Sequence, residues 1–333
     1  MLGSRTSGQG SDDADGALIP RPRLAKGCGG LDAALMSAVM PNLFIVGAPK
    51  AATTSLYEYL NGQPDVFMSP LKEPNFFSES RTDSPERDEF SHAVRESSSY
   101  ERLFLDAVGF PYVGEASTSY LRNEAAPERI KRASPEAKIV VSLRDPVERA
   151  YSDYRYCVRE GLERRSFAEA VSDELSSSDN QPSSANYLQY GDYVPGLRRY
   201  ERHFGRDSML VVFFEDLLSD PDSVLQDLLA FLGLDSRRAR NFPHANPHGQ
   251  PRGVLAKQLM QSTRLRLALR RIVPDSLLRL AHDRLLVKPA PKPELDPTLR
   301  AKLISIYQPQ VEEIASFVGR RPPWKNFQPA SPS

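Results

Sequence analysis

Residues 43–56 run Leu-Phe-Ile-Val-Gly-Ala-Pro-Lys-Ala-Ala-Thr-Thr-Ser-Leu, an apolar strand that passes through a small-residue turn into a helix. No other stretch constrains the fold as tightly. A short apolar run followed directly by a helix is the opening of a strand-helix-strand unit, and such units build parallel sheets. The turn sets Lys50, Thr53, Thr54 and Ser55, with the backbone N–H groups of residues 51–55, at a helix start. Unpaired amides and the helix dipole together favour an anion there, a phosphate or a sulfate.

The same alternation continues along the chain. Val66–Met68, Tyr112–Glu115, Lys138–Leu143 and Met209–Phe214 read as further strands, with helical segments between them. The first helix, inward through Leu56, Tyr59 and Leu60, stops at Asn61-Gly62-Gln63-Pro64. Asp145-Pro146-Val147-Glu148 supplies an N-cap, a first helical proline and a capping-box partner, and Ser166 with Glu169 repeats the box. Asp220-Pro221 opens a helix whose Leu225, Leu228, Leu229 and Leu232 face inward. Segments 78–99 and 176–185 are polar and read as loops, the first with a helix after it. The last third is helical, with basic helices around 253–271 and 275–286. A final helix opens at Asp296-Pro297, and Pro309 should kink or split it. The expected architecture is a P-loop-NTPase-like three-layer α/β fold, with a central parallel sheet, right-handed crossovers and a helical C-terminal part. One domain is expected over residues 41–325, with tails at 1–40 and 326–333.

Bulk properties remove several function classes. The 333 residues carry 43 basic and 43 acidic side chains, which argues against a general nucleic-acid binder. Cys28 and Cys157 are the only cysteines, too few for a disulfide framework or a structural zinc site. His92, His203, His244, His248 and His282 show no metal-ligand spacing, and Pro243 and Pro247 forbid the helix that would make His244 and His248 converge. No run approaches the roughly 18–20 apolar residues of a membrane span. The first 39 residues are rich in Gly, Ser, Asp and Arg, and Asp12, Asp13 and Asp15 interrupt any signal-peptide core. That stretch reads as an untargeted tail, with Met40 a possible natural start and the cytoplasm the expected compartment.

Which phosphate loop this is turns on one lysine. The NTPase loop ends Gly-Lys-[Ser/Thr]. Here Ala52 stands in that glycine's place, and Lys50 comes three residues before Thr53. A second run, Lys-Ile-Val-Val-Ser-Leu-Arg-Asp-Pro-Val-Glu-Arg-Ala-Tyr-Ser-Asp-Tyr at 138–154, brings Arg144 out of a strand end and sets Ser152 about two helical turns later. A guanidinium with a hydroxyl suits a terminal phosphate.

The loop and this second run, as an ordered pair, resemble the 5′-phosphosulfate loop and 3′-phosphate motif of sulfotransferases that use 3′-phosphoadenosine 5′-phosphosulfate (PAPS). Lys72-Glu73-Pro74-Asn75-Phe76-Phe77 resembles the Lys-Glu-x-His-Phe-Phe segment of the glycosaminoglycan-type members, whose glutamate is the catalytic base. The resemblance runs from about Pro41 to Trp324. It implies Glu73 as base, in a setting that burial by Phe76 and Phe77 would tune, and Lys50 as the cation at the leaving oxygen. It further implies Lys50, Ala51, Ala52, Thr53, Thr54 and Ser55 at the 5′-phosphosulfate, and Arg144 with Ser152 at the 3′-phosphate. Asn246 to Gly253 resembles the family's late glycine/arginine loop and makes Arg252 a cofactor candidate. Asn75 stands where relatives often have histidine, and Ala116 where they often have lysine. Ala52 replaces the usual loop glycine and is expected to keep a negative φ. PAPS is then the co-substrate with no metal, and the acceptor a small molecule, glycolipid or saccharide, with a sugar hydroxyl favoured. Two other readings compete: a P-loop kinase or NTPase, which lacks its Gly-Lys-[Ser/Thr], and a nucleotide-binding protein without catalysis, against which Glu73 speaks. Oligomeric state is not encoded in any readable signal.

Overall fold

The computed structural model describes residues 39–78, 94–177, 186–235 and 294–328, and two short strands at 249–251 and 287–289. Five parallel strands form the central sheet: β1 (Leu43–Gly47), β2 (Val66–Met68), β3 (Tyr112–Ala116), β4 (Lys138–Leu143) and β5 (Met209–Phe213), in the order β2-β3-β1-β4-β5. In chain order the helices are α1 (Thr53–Asn61), α2 (Ser97–Glu101), α3 (Ala126–Ala133), α4 (Pro146–Glu160), α5 (Phe167–Ser176), α6 (Val194–Phe204), α7 (Phe214–Ser219), α8 (Pro221–Phe231) and α9 (Pro297–Val318). A small antiparallel pair, β6 (Gly249–Pro251) with β7 (Val287–Pro289), lies apart from the main sheet in pairing.

Strand periodicity sorts the core into two layers. Phe44 and Val46 of β1 join Ile139 and Val141 of β4 on one face, under Ala150 of α4, Leu197 of α6 and Leu303 and Val311 of α9. Leu43, Ile45 and Val140 point to the other face, covered by Leu56 and Leu60 of α1 and Leu225, Leu228 and Leu229 of α8. Both faces of a parallel sheet must be covered this way. Each buried aliphatic side chain contributes about 1.5–3 kcal/mol. The result is the three-layer α/β fold expected from the alternation of elements.

Topology then fixes where ligands bind. After β1 the chain builds β2 and β3 on one side, and later places β4 and β5 on the other. The carboxyl end of β1 is therefore the switch point, the usual crevice of open α/β sheets.

Several local expectations change. Asp145 caps α4, its Oδ1 accepting from the amides of Val147 at 3.0 Å and Glu148 at 3.3 Å. Glu148 does not complete a box there. Its carboxylate pairs instead with the Arg300 guanidinium on α9 at 2.7 Å, a tertiary partner that local sequence does not reveal. At α5 the box is complete, with Ser166 and Glu169 bonded both ways. Pro309 does not split the last helix, which runs unbroken as α9. Leu303 and Tyr307 before it and Val311 and Ile314 after it are all buried, and that anchorage outweighs the roughly 3 kcal/mol cost of an interior proline. Packed chain also continues past 325, since Phe327 is buried and Trp324 meets Phe213 edge-on at 5.7 Å. The basic helices placed at 253–271 and 275–286, His244, His248 and Arg252 lie outside the described residues. No described helix is long and apolar enough to cross a membrane.

Candidate active site

Segments leaving all five strands at their carboxyl ends, with helix α4, supply the residues of the site. The first begins at Gly47, where a Cβ would stand 2.9 Å from Leu121 Cβ and 3.0 Å from the Thr118 carbonyl. Only glycine lets the β3 exit loop pass so close. Beyond it, Lys50 and Ala52 both take left-handed conformations, at φ 66 and 62. Ala52 thus departs from the negative φ expected of it. The reason lies in β4: the Lys50 carbonyl accepts from Arg144 Nη1 at 3.0 Å, and the Ala51 carbonyl accepts from Ser142 Oγ. In a trans peptide the N–H points opposite to the C=O, so the amides of Ala51 and Ala52 face away from β4. Such alternation makes an anion-binding concavity, although each left-handed L-residue costs roughly 1–2 kcal/mol. No side chain caps the amino end of α1, whereas α4, α5, α8 and α9 are capped by Asp145, Ser166, Asp220 and Asp296. The amides of Thr53, Thr54 and Ser55 form that open first turn.

Lys50 carries the loop's charge. Its Nζ lies 4.1 Å from the centre of the Tyr156 ring. Burial pulls the ammonium below its ordinary pKa, with Asp153 of α4 pulling the other way. Tyr156 itself was not visible as a site residue in the sequence, although it falls four residues after Ser152 and so shares that helix face. Burial pushes its hydroxyl up to about 12, Glu160 and Glu73 adding to the rise. Glu73 is tied to the same loop through Thr118, which donates to its carboxylate at 3.3 Å and whose carbonyl lies against Gly47.

Arg144 leaves β4 nearly buried, its guanidinium 4.3 Å from the Phe214 ring. Besides the bond to the Lys50 carbonyl, its Nε has no hydrogen-bond partner among the described residues. Beside it, burial pushes the Glu215 carboxyl up to about 7. Glu215 Oε1 accepts from the Asp145 amide at 3.0 Å, while Oε2 has no hydrogen-bond partner among the described residues. Buried polar atoms left unpaired are uncommon and costly. An anion arriving at this strand end would satisfy the guanidinium. Ser152 sits half-buried on α4, one helical turn before Tyr156.

Glu73 is presented by a segment stitched to the β3 exit. Glu73 N donates to the Ala116 carbonyl at 2.8 Å, Asn75 N to Ser117 Oγ at 3.1 Å, and Phe77 N to the Tyr120 hydroxyl at 3.2 Å. Asn75, where relatives often have histidine, is structural here: its Nδ2 donates to the Glu73 carbonyl at 2.9 Å and its Oδ1 accepts from Ser119 Oγ at 2.6 Å. Both Glu73 and Asn75 are left-handed, at φ 60 and 52. The Glu73 carboxylate receives Lys72 Nζ at 2.8 Å and Thr118 Oγ1 at 3.3 Å. The two phenylalanines do not bury it. Phe77 turns into the core against Phe44 and Tyr100, Phe76 stacks on Tyr100 at 4.1 Å, and the Glu73 side chain stays 36% exposed. Under this segment lies a second acid that sequence reading passed over. Glu115 is fully buried and accepts from the hydroxyls of Tyr100 at 2.6 Å, Ser117 at 2.8 Å and Tyr120 at 3.0 Å. Burial pushes its carboxyl up to about 7, the three hydroxyls opposing. A glutamate inside an otherwise apolar strand was the only signal for it. Arg252 lies outside the described residues, so its place relative to this site is not described.

Comparison with known proteins gives a consistent answer. Residues 41–238 match the model of a family described as the sulfotransferase family. Among similar proteins, mouse heparan sulfate glucosamine 3-O-sulfotransferase 3B1 is 32% identical over 198 residues, 60% of this chain and 47% of its own length. The human bifunctional heparan sulfate N-deacetylase/N-sulfotransferase 3 is 26% identical over 218 residues, 62% of this chain and 23% of its own. The match thus spans less than half of either relative. A solved sulfotransferase from Alicyclobacillus acidocaldarius superimposes with a TM-score of 0.63 at 29% identity, covering 85% of this chain and 97% of that one.

Proposed function

Because the chain belongs to the sulfotransferase family, we propose that it transfers a sulfuryl group from PAPS to a hydroxyl of a carbohydrate-containing acceptor, with Glu73 as base. The meeting of the Lys50 loop and Glu73 through Thr118, whose carbonyl lies against Gly47 and whose hydroxyl donates to the Glu73 carboxylate at 3.3 Å, carries this reading. It brings a cation-bearing loop for a leaving oxygen and a carboxylate for an attacking hydroxyl to one end of the sheet. Bound PAPS would supply an electrophilic sulfur whose leaving group is the 3′,5′-bisphosphate. Lys50 and the amides of residues 51–55 stabilise the charge that gathers on the bridging oxygen, which lowers the transition state more than the ground state. Arg144, with its unpartnered Nε, and Ser152 hold the 3′-phosphate. Glu73 accepts the acceptor's proton, since a sugar hydroxyl does not ionise near neutrality. Arg252 is a further candidate contact to the nucleotide.

Purified protein given sulfur-labelled PAPS and saccharide acceptors should form labelled product. Glu73→Gln and Lys50→Ala should each lose about 10²–10³-fold in kcat. Arg144→Ala should chiefly raise the PAPS dissociation constant. Near-normal turnover of Glu73→Gln would remove the base, and calorimetry showing a preference for ATP would overturn the reading as a whole.

A further inference from the structure

Glu115 sits inside the sheet, in register with Phe44 of β1, and its side chain is fully buried. It forms no ion pair among the described residues. A carboxyl in such a place costs more than an apolar side chain of similar size, so the fold alone gives no reason for it. Its partners are three hydroxyls: Oε1 accepts from Tyr100 and Tyr120, and Oε2 accepts from Ser117. A hydroxyl has a single proton to donate. With that proton spent on Glu115, the oxygens of Ser117 and Tyr120 are turned to accept, and what they accept from is the segment that carries Glu73. Asn75 N donates to Ser117 Oγ at 3.1 Å and Phe77 N to the Tyr120 hydroxyl at 3.2 Å. Two chains of the same polarity therefore run from amide to hydroxyl to carboxylate, and bonds aligned in this way strengthen one another.

The segment needs such anchorage. Glu73 and Asn75 both hold left-handed conformations, which L-residues keep only where their surroundings over-determine them. Glu73 N is held by the Ala116 carbonyl at 2.8 Å, and the backbone beyond it is held at Asn75 and Phe77 by the two hydroxyls that Glu115 orients. Release of those two amides would let Glu73 relax toward an ordinary φ and carry its carboxylate away from Thr118. Resting on the reading of Glu73 as base, we propose that Glu115 is the positioning residue of that base: it sets the polarity of Ser117 and Tyr120, and through them the conformation in which Glu73 is presented. Arg144 bonds instead to the phosphate loop, at the Lys50 carbonyl, so nucleotide binding does not run through these hydroxyls.

The test separates this role from the reading beneath it. Calorimetry with the 3′,5′-bisphosphate checks the donor site, and labelled PAPS with desulfated heparan oligosaccharides checks transfer. No binding, or no labelled product from the parent, would sink the carbohydrate-sulfotransferase reading and this role with it. Hydrogen exchange at pH 8, where Glu115 is charged, then reads the anchorage directly. Glu115→Gln keeps the shape of the side chain but puts an NH2 donor where a carboxylate oxygen accepted. The amides of Asn75 and Phe77 should exchange about tenfold faster in it, with those of Val46 in β1 and Val141 in β4 unchanged. Counted per bisphosphate-binding site, kcat should fall about tenfold or more, because small misplacements of a reacting group are costly, while the KM for PAPS and the bisphosphate Kd stay within roughly twofold of the parent. Ser117→Ala frees the Asn75 amide with Glu115 still in place. It should show the same split in milder form, and it carries the test if Glu115→Gln does not fold. Unchanged exchange at Asn75 and Phe77, a near-normal kcat, or a loss of bisphosphate affinity matching the loss of kcat would each overturn the positioning role and leave the sulfotransferase reading standing.

Discussion

Ala52 shows how much the site asks of single residues. Its φ of 62 belongs to glycine territory, yet the bond from Ser142 to the Ala51 carbonyl holds it there. Relief of roughly 1–2 kcal/mol in Ala52→Gly exceeds the 0.4–1 kcal/mol lost to a looser unfolded chain. Thermal denaturation should therefore show the variant at least as stable as the parent, the reverse of alanine-to-glycine changes inside helices. Arg149 makes the opposite case. It is fully buried, 3.3 Å from Asp153 and bonded to the Tyr187 carbonyl. Arg149→Met removes the cation from a buried acid and should cost about 3 kcal/mol in urea denaturation, near the low end for broken buried pairs because Lys50 also faces Asp153. The strand-end positions of Lys50 and Arg144 were legible because both sit inside contiguous runs. Tyr156 and Glu115 were not, since their partners lie on other elements and nothing local marks the meeting.

Among elements, the informative one is the segment from Glu73 to Phe77 laid along the β3 exit. Its backbone is held by hydroxyls, and the hydroxyls of Ser117 and Tyr120 are held in turn by Glu115. Glu115 titrates at about 7 when folded, against an ordinary 4.5. Between those values the native state binds a proton that the unfolded chain has released, so stability must fall as pH rises, by at most about 1.4 kcal/mol per pH unit from this group. Glu215 acts in the same direction. Urea midpoints should drop from pH 5 to pH 7, and Glu115→Gln should flatten that slope whatever it does to stability at any one pH. The strands and most helix starts could be read ahead, because alternation and caps are local. Glu148, which leaves its own helix for Arg300, and Pro309, outvoted by core contacts on both sides, escaped local reading for the same reason.

At the scale of the molecule, the late chain returns to the β4–β5 side of the sheet. Trp324 fills the space between Phe213 and Tyr193, and Asn326 Nδ2 donates to Asp145 Oδ2 at 2.9 Å. Asp145 follows Arg144 directly, so this bond braces the strand end proposed to hold the 3′-phosphate. Asn326→Ala should weaken binding of the 3′,5′-bisphosphate roughly 3- to 10-fold, the worth of about 1 kcal/mol for a net hydrogen bond, with kcat little changed. Calorimetry and steady-state rates measure the two separately.

That tie joins residues 181 positions apart. During synthesis, the strand end at Asp145 must remain unbraced long after β1 and β4 have emerged, until the polypeptide around Asn326 is released to dock. A ribosome-bound fragment, or one trimmed before Trp324, would then lack both that brace and the ring that packs on Phe213.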